Sequence, residues 1–119
     1  MDDLQSVNYN QLVKKDTAAK DYDSHEEMLL EKIYYKWGLV VNYNTSKPVP
    51  GKGSCIFIHI WGSNHEGTSG CTAMKEDDLL QILHWIKSAD HPLLVQLPEK
   101  EYVKFSVQYG LPEINFKKL

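Results

Sequence analysis

The sequence predicts one α+β domain in which short, buried strands accompany two amphipathic helices. The chain has 119 residues, of which 42% are hydrophobic, which is enough for a single core. It contains three strand-like apolar runs, at 37–43, 56–61 and 93–97, and two stretches of helical periodicity, at 24–36 and 75–87. A Ser24–Glu27 capping box marks the start of the first predicted helix.

The run at 56–61 gives the strongest strand signal. Its residues are mostly β-branched or aromatic, it is too short to span a membrane, and Gly53 and Gly62 bound it. We therefore predict a central, buried strand. His59 is its only strongly polar side chain, and burying an imidazole is unfavourable unless the ring nitrogens find partners.

Cys71 is the predicted partner of His59. A turn through residues 62–67 brings Cys71 back alongside the strand, and small residues at 67–70 expose backbone amides around its sulfur. An imidazole can accept the proton of a thiol, and such amides can stabilise an oxyanion. We predict Cys71 as nucleophile and His59 as general base, with the flanking Gly70 and Thr72 as further catalytic residues.

Simpler interpretations of these residues remain open. His59 can be a satisfied core histidine and Cys71 a small buried hydrophobe. Cys55 is expected to be a packing residue, although a disulfide to Cys71 would abolish the thiolate. Zinc is a further alternative, because Cys55, His59, His65 and Cys71 are suitable ligand types without paired spacing. A papain-like protease is disfavoured, because there the cysteine precedes the histidine.

This stretch resembles the catalytic core of the L,D-transpeptidases, also called the YkuD domain. The resemblance lies in IFIHIW at 56–61, TSGC at 68–71 and a helix ending in LLQILHW. The family signature is a histidine on a strand followed by S/T-H-G-C. The resemblance implies that Cys71 is the nucleophile and His59 the general base. It also implies that the backbone carbonyl of Ile60 forms a hydrogen bond with the second imidazole nitrogen of His59.

The chain departs from the family pattern at two positions. Ser69 stands where better-known members carry a second histidine, and Ala73 where they carry Arg or Asn. Both departures suit a small divergent branch with an upstream SHExM segment, which SHEEM at 24–28 supplies. The resemblance covers residues 2–98. It implies that His25, Thr68 and Ser69 line the substrate cleft.

The resemblance also implies the architecture: a mainly β domain with flanking helices, built as an L,D-transpeptidase-like β-sandwich. We expect residues 1–98 to form this catalytic domain and residues 99–119 a tail or short helix packed on it. Family members usually have several more strands upstream, so the chain is expected to lack the first strands. A missing edge would favour dimerisation or pairing with another chain.

The reaction that the resemblance implies is acyl transfer on peptidoglycan stem peptides, outside the cytoplasm. An amine acceptor makes a transpeptidase and water makes a carboxypeptidase, and neither needs a metal or an organic cofactor. A binding module that grips wall peptides without turnover is the alternative from another class. No signal peptide is predicted, because Met1 is followed by Asp2 and Asp3 instead of a basic and then apolar segment.

Charge narrows the range of partners. The net charge is −3 without a basic cluster, which argues against nucleic acid and anionic membranes, and no stretch is apolar enough to span a bilayer. All 13 cationic side chains are lysines. A bidentate guanidinium contact with a substrate carboxylate is therefore excluded, which leaves lysine, histidine or backbone amides for that role.

Overall fold

The computed structural model describes residues 1–14, 20–29 and 32–118. The chain divides into two compact units, Met1–Lys87 and Ser88–Leu119, each with its own internal contacts. The first unit contains all the strands and all the residues predicted to be functional. The predicted boundary between residues 98 and 99 stays a prediction.

A three-stranded sheet forms the centre of the first unit. Its strands are β1 (Gly38–Val40), β2 (Phe57–Ile60) and β3 (Thr72–Met74), in the order β1-β2-β3. β2 pairs antiparallel with β1 and parallel with β3, and all four of its residues are buried. The predicted central strand is thus confirmed. The strand predicted at 37–43 is shorter than expected.

The two faces of β2 carry different chemistry, because successive side chains of a strand point to opposite sides. Ile58 and Ile60 pack on one side against the fully buried Leu79, which lies on α1 (Glu76–Trp85). The partly buried side chains that complete this core are Leu39, Val41, Met74 and Leu83. His59 therefore faces away from the core.

The helix α1 confirms the helix predicted at 75–87. Acidic residues occupy its first turn, where the positive end of the helix dipole stabilises them. Glu76 accepts hydrogen bonds from Lys36 Nζ at 2.7 Å and from Trp37 Nε1 at 2.9 Å. The bond from Lys36 holds the pKa of Glu76 below its usual range. The apolar face is narrower than predicted, since Trp85 is 75% exposed.

The helix predicted at 24–36 is wrong over residues 24–29, which are not helical; residues 30 and 31 lie outside the described residues. Among the described residues of this range, the helical structure is a 3-10 helix, Ile33–Tyr35. The two capping groups bind elsewhere: Ser24 Oγ donates to a carboxylate oxygen of Asp2, and Glu27 Oε1 accepts from the Leu29 amide. The capping box therefore does not nucleate a helix.

The second unit contains α2 (Glu99–Tyr109), the predicted C-terminal helix. Gly110 ends it with a φ of 61°, a left-handed conformation that favours glycine. The buried Tyr102 anchors the unit by donating to the Pro112 carbonyl at 2.7 Å. The strand predicted at 93–97 is wrong, because these residues, all of them described, form no strand. An apolar run forms a strand only where a sheet edge accepts its backbone hydrogen bonds.

These elements agree with an α+β domain. The described residues contain one sheet, so the β-sandwich and the missing first strands stay predictions. Within the described part of the chain, no helix is long and apolar enough to cross a membrane.

The substitution Leu79→Ala should lower the free energy of unfolding by about 3 kcal/mol, because it leaves a cavity behind β2. Trp85→Ala on the same helix is the control and should cost less than about 0.5 kcal/mol, since Trp85 is largely exposed. Urea unfolding followed by circular dichroism measures both. Equal losses for the two variants would contradict this description of the core.

Candidate active site

A cavity of about 490 Å³ lies on the side of β2 that carries His59. It brings together four of the predicted site residues: His59, Thr68, Ser69 and Cys71. The other residues that line it are Glu26, Tyr34, Tyr35, Trp61, Gly62, Glu66, Gly67 and Ala73. Gly70 and Thr72 adjoin Cys71 in the chain and are not among the residues lining the cavity.

His59 is 8% exposed, and one hydrogen bond fixes its tautomer. Its Nδ1 lies 2.8 Å from the carbonyl oxygen of Ile60, the contact predicted from the sequence. A carbonyl can only accept, so Nδ1 carries the proton in the neutral ring and Nε2 is left as the proton acceptor. The ring of Tyr35 lies 5.0 Å from the imidazole, centroid to centroid, and helps to hold its plane.

The parallel pairing of β2 and β3 places Cys71 near His59. Ile58 pairs with Thr72 and His59 with Ala73, so Cys71 lies immediately before β3, where it lines the cavity. The turn before it depends on Thr68, whose hydroxyl accepts from the Gly70 amide at 3.2 Å and donates to the Cys71 carbonyl at 2.5 Å. Gly70 has a φ of 139°, which a side chain would strain.

The environment of the Cys71 sulfur favours the neutral thiol. Partial burial raises the pKa of Cys71, and the nearby charges of Glu26 and Cys55 raise it further. A hydrogen bond from the Phe57 amide acts in the opposite direction and is outweighed. The thiol donates to the Cys55 carbonyl at 3.4 Å. A reaction at this sulfur therefore needs a base to take the proton.

A second cavity, of about 360 Å³, contains His25, which was predicted to line the substrate cleft. The His25 ring packs edge-on against Tyr22, and its Nε2 lies 3.8 Å from a carboxylate oxygen of Glu27. The structure thus does not bring His25 into the cavity of His59 and Cys71. Glu26 lines both cavities and adjoins His25 in the chain.

Comparison with family models decides the affiliation of the chain. Residues 5–101 match YkuD, the L,D-transpeptidase catalytic domain. The chain belongs to this family. The match confirms the resemblance seen in the sequence and supports an L,D-transpeptidase-type activity related to peptidoglycan. Comparison with curated proteins and with solved structures gave no match.

This YkuD domain has three site residues that sequence reasoning missed: Glu26, Tyr34 and Tyr35. Each tyrosine hydroxyl donates to a carboxylate of the cavity, Tyr35 to Glu26 at 2.5 Å and Tyr34 to Glu66 at 3.2 Å. Burial, together with the bond to Glu26, raises the pKa of Tyr35, so its hydroxyl stays protonated. The SHEEM segment at 24–28 was the sequence signal for this region, but it led to a prediction for His25 and not for the neighbouring Glu26.

Cys55 of the YkuD domain does not belong to the regular strand. Its φ of 54° lies in the left-handed region, so the alternation of β2 does not extend back to it. Asn10 supports this conformation by accepting from the Cys55 amide at 2.9 Å. Both cysteines are free thiols, which makes the disulfide alternative wrong.

The zinc alternative also finds no support. Across residues 1–14, 20–29 and 32–118, no group of three or more His, Cys, Asp or Glu side chains could hold a metal ion. His65 is exposed and does not line the catalytic cavity.

The substitution Glu26→Gln should lower the pKa of Cys71, because a carboxylate disfavours a nearby thiolate and an amide does not. At a fixed pH below the pKa, a lower pKa gives a larger thiolate fraction. Alkylation of Cys71 by iodoacetamide at pH 7.5 should therefore be about threefold faster in the variant. Rates followed by intact mass across pH test this. Glu27→Gln is the control, since Glu27 lines only the second cavity. A rate that falls, or rises equally in both variants, would contradict it.

Proposed function

We propose that the protein is a cysteine-dependent acyltransferase of the L,D-transpeptidase type that acts on peptidoglycan stem peptides. One observation carries the proposal: a single cavity holds a half-buried thiol and a buried imidazole. The Ile60 carbonyl accepts the hydrogen bond from Nδ1 of that imidazole. Nε2 is therefore the ring nitrogen that can accept a proton. Cys71 is the nucleophile and His59 the general base.

The first half of the reaction forms an acyl-enzyme. Cys71 Sγ attacks the carbonyl carbon between an L-centre and a D-residue while its proton moves to His59 Nε2. Because burial raises the pKa of Cys71, the thiol needs His59 to take its proton for the attack. Collapse of the tetrahedral intermediate breaks the C–N bond, and His59 returns the proton to the departing amine of D-alanine. A thioester on Cys71 remains.

The backbone amides of Gly70 and Thr72, which flank Cys71 in the chain, are the predicted donors to the oxyanion, although neither residue lines the cavity of the resting site. The Gly70 amide donates to Thr68 Oγ1 in the resting site. In the proposed reaction, the developing oxyanion replaces the Thr68 hydroxyl as the acceptor of the Gly70 amide. An anionic acceptor makes a stronger hydrogen bond than a neutral one, which favours the exchange in the transition state.

The second half of the reaction transfers the acyl group to an amine or to water, with His59 removing the acceptor's proton. An amine gives transpeptidation, and water gives L,D-carboxypeptidase activity. The exposed Thr68 and Ser69 at the cavity leave water access to the thioester, which keeps hydrolysis as the second candidate. Neither route requires a metal or an organic cofactor.

An inactive wall-peptide-binding module is the remaining candidate. Ala73 lines the cavity where the family pattern has Arg or Asn, so the site lacks a side chain that other members use. By family membership, the proposed place of action is extracytoplasmic, at the cell wall. Activity of the nucleophile distinguishes an enzyme from a binding module.

Mixing the protein with a carbapenem should give one covalent adduct, because the strained β-lactam carbonyl acylates an activated thiol. Cys71→Ala should give none, and His59→Ala should react about a hundredfold more slowly, since general-base assistance is lost. Intact-mass spectrometry over time measures all three. Cys55→Ser is the matched control and should keep the adduct, because its thiol does not line the catalytic cavity.

The absence of an adduct in a folded protein with two free thiols would favour the binding module over the enzyme. An adduct that survives Cys71→Ala would move the nucleophile elsewhere. With the natural tetrapeptide, release of D-alanine together with a cross-linked product identifies a transpeptidase. Release of D-alanine with tripeptide alone identifies a carboxypeptidase.

A further inference from the structure

Two backbone groups at and just before the start of β2 contact the Cys71 sulfur. The thiol donates to the Cys55 carbonyl at 3.4 Å, and the Phe57 amide donates to the sulfur. A thiol has one proton, so in the resting site its hydrogen bond goes to Cys55 and not to His59. The place of the sulfur in the cavity is therefore set by the backbone of residues 55–57.

The Cys55 peptide has a conformation that needs support. Its φ of 54° lies in the left-handed region, which is unfavourable for a residue with a β-carbon. Pairing with the chain after β1 reaches Ile56, whose carbonyl accepts from the Val41 amide at 2.9 Å. Cys55 precedes that pair and lies outside β2, so its conformation depends on contacts other than the ladder of the sheet.

The side chain of Asn10 supplies this support. Its Oδ1 accepts from the Cys55 amide at 2.9 Å, while its Nδ2 donates to the Tyr43 carbonyl at 3.0 Å and to the Asn44 carbonyl at 2.7 Å. A carboxamide has one acceptor oxygen and two donor N–H groups, and all three groups are used here. Asn10 thus ties the Cys55 peptide to the chain that follows β1, from a position outside the catalytic cavity.

We propose that Asn10 is a positioning residue for the nucleophile, which fixes the Cys55 peptide and thereby aims the Cys71 sulfur at the acyl carbonyl of the substrate. This inference rests on the proposed acyl transfer and adds a residue that acts on its rate from outside the cavity. During the attack, the proton of Cys71 leaves the Cys55 carbonyl for His59 Nε2. The Phe57 amide stays in place to stabilise the negative charge that develops on the sulfur.

The substitution Asn10→Gly tests the proposal, because it removes the side chain while glycine tolerates the φ of 55° at this position. Acylation by a carbapenem at increasing concentration, followed by intact mass, gives a maximal rate and a half-saturating concentration. The maximal rate should fall about tenfold, since the sulfur is no longer aligned. The half-saturating concentration should stay within about twofold, because Asn10 does not line the cavity.

Gln11→Ala is the matched control. Gln11 joins the same two segments, since its Nε2 donates to the Thr45 carbonyl at 3.2 Å, but this bond does not involve Cys55. The variant should keep the maximal rate of the wild type. Cys55→Ser keeps the peptide that Asn10 holds and should keep most of this rate as well, because the peptide and not the Cys55 thiol positions the sulfur.

Alkylation by iodoacetamide provides a second readout, because this reagent needs no alignment with His59. Without the fixed Cys55 carbonyl, the neutral thiol loses a hydrogen bond, so the pKa of Cys71 should fall in Asn10→Gly. At a fixed pH below the pKa, alkylation should then be about threefold faster in the variant whose acylation is slower. Gln11→Ala should keep the pH profile of the wild type. Circular dichroism and urea unfolding establish that each variant is folded.

A full maximal rate in folded Asn10→Gly, or an equal loss in Gln11→Ala, would overturn the inference and leave the acyl transfer intact. If Asn10→Gly does not fold, Asn10→Asp decides. Aspartate keeps the acceptor for the Cys55 amide but loses both donors, so the maximal rate should fall about threefold, and an unchanged rate would overturn the inference. No Cys71-dependent adduct in the wild type would instead overturn the proposed function, and this inference with it.

Discussion

The two-sided burial of β2 is the constraint on which the rest of the first unit depends. Ile58 and Ile60 bind the strand to Leu79, and the same backbone presents His59 to the cavity from the opposite face. The position of His59, the proposed base, is therefore set by packing that involves none of the predicted site residues. Parallel pairing with β3 then fixes where Cys71 enters the site.

The electrostatics of the resting site favour a neutral thiol and leave a proton acceptor in the same cavity. The Ile60 carbonyl leaves Nε2 of His59 as the acceptor, while burial and Glu26 keep Cys71 protonated. A neutral thiol is a weak nucleophile toward molecules that cannot engage the base. The arrangement thus favours selective reaction with a bound acyl group over indiscriminate chemistry with small electrophiles.

The sequence predicted the parts of this structure that depend on local pattern. The apolar run at 56–61 and the helix α1 are confirmed. The contact of His59 with Ile60, which the family resemblance implied, is confirmed as well. The helix at 24–36 and the strand at 93–97 were wrong, because local pattern does not decide such segments alone: Ser24 binds Asp2, and the apolar run at 93–97 forms no strand. Glu26 was missed for the same reason, since only the fold brings its carboxylate near Cys71.

The Thr68 hydroxyl explains a feature of the family signature. It accepts from Gly70 and donates to Cys71 at the same time, and both contacts shape the turn that carries the nucleophile. Among small neutral side chains, an alcohol donates and accepts strongly from one atom, whereas a thiol does both only weakly. Valine would match threonine in shape but offer neither bond, whereas serine would offer both. In this chain, the hydroxyl three residues before the cysteine therefore serves the geometry of the turn, a role that serine could also fill.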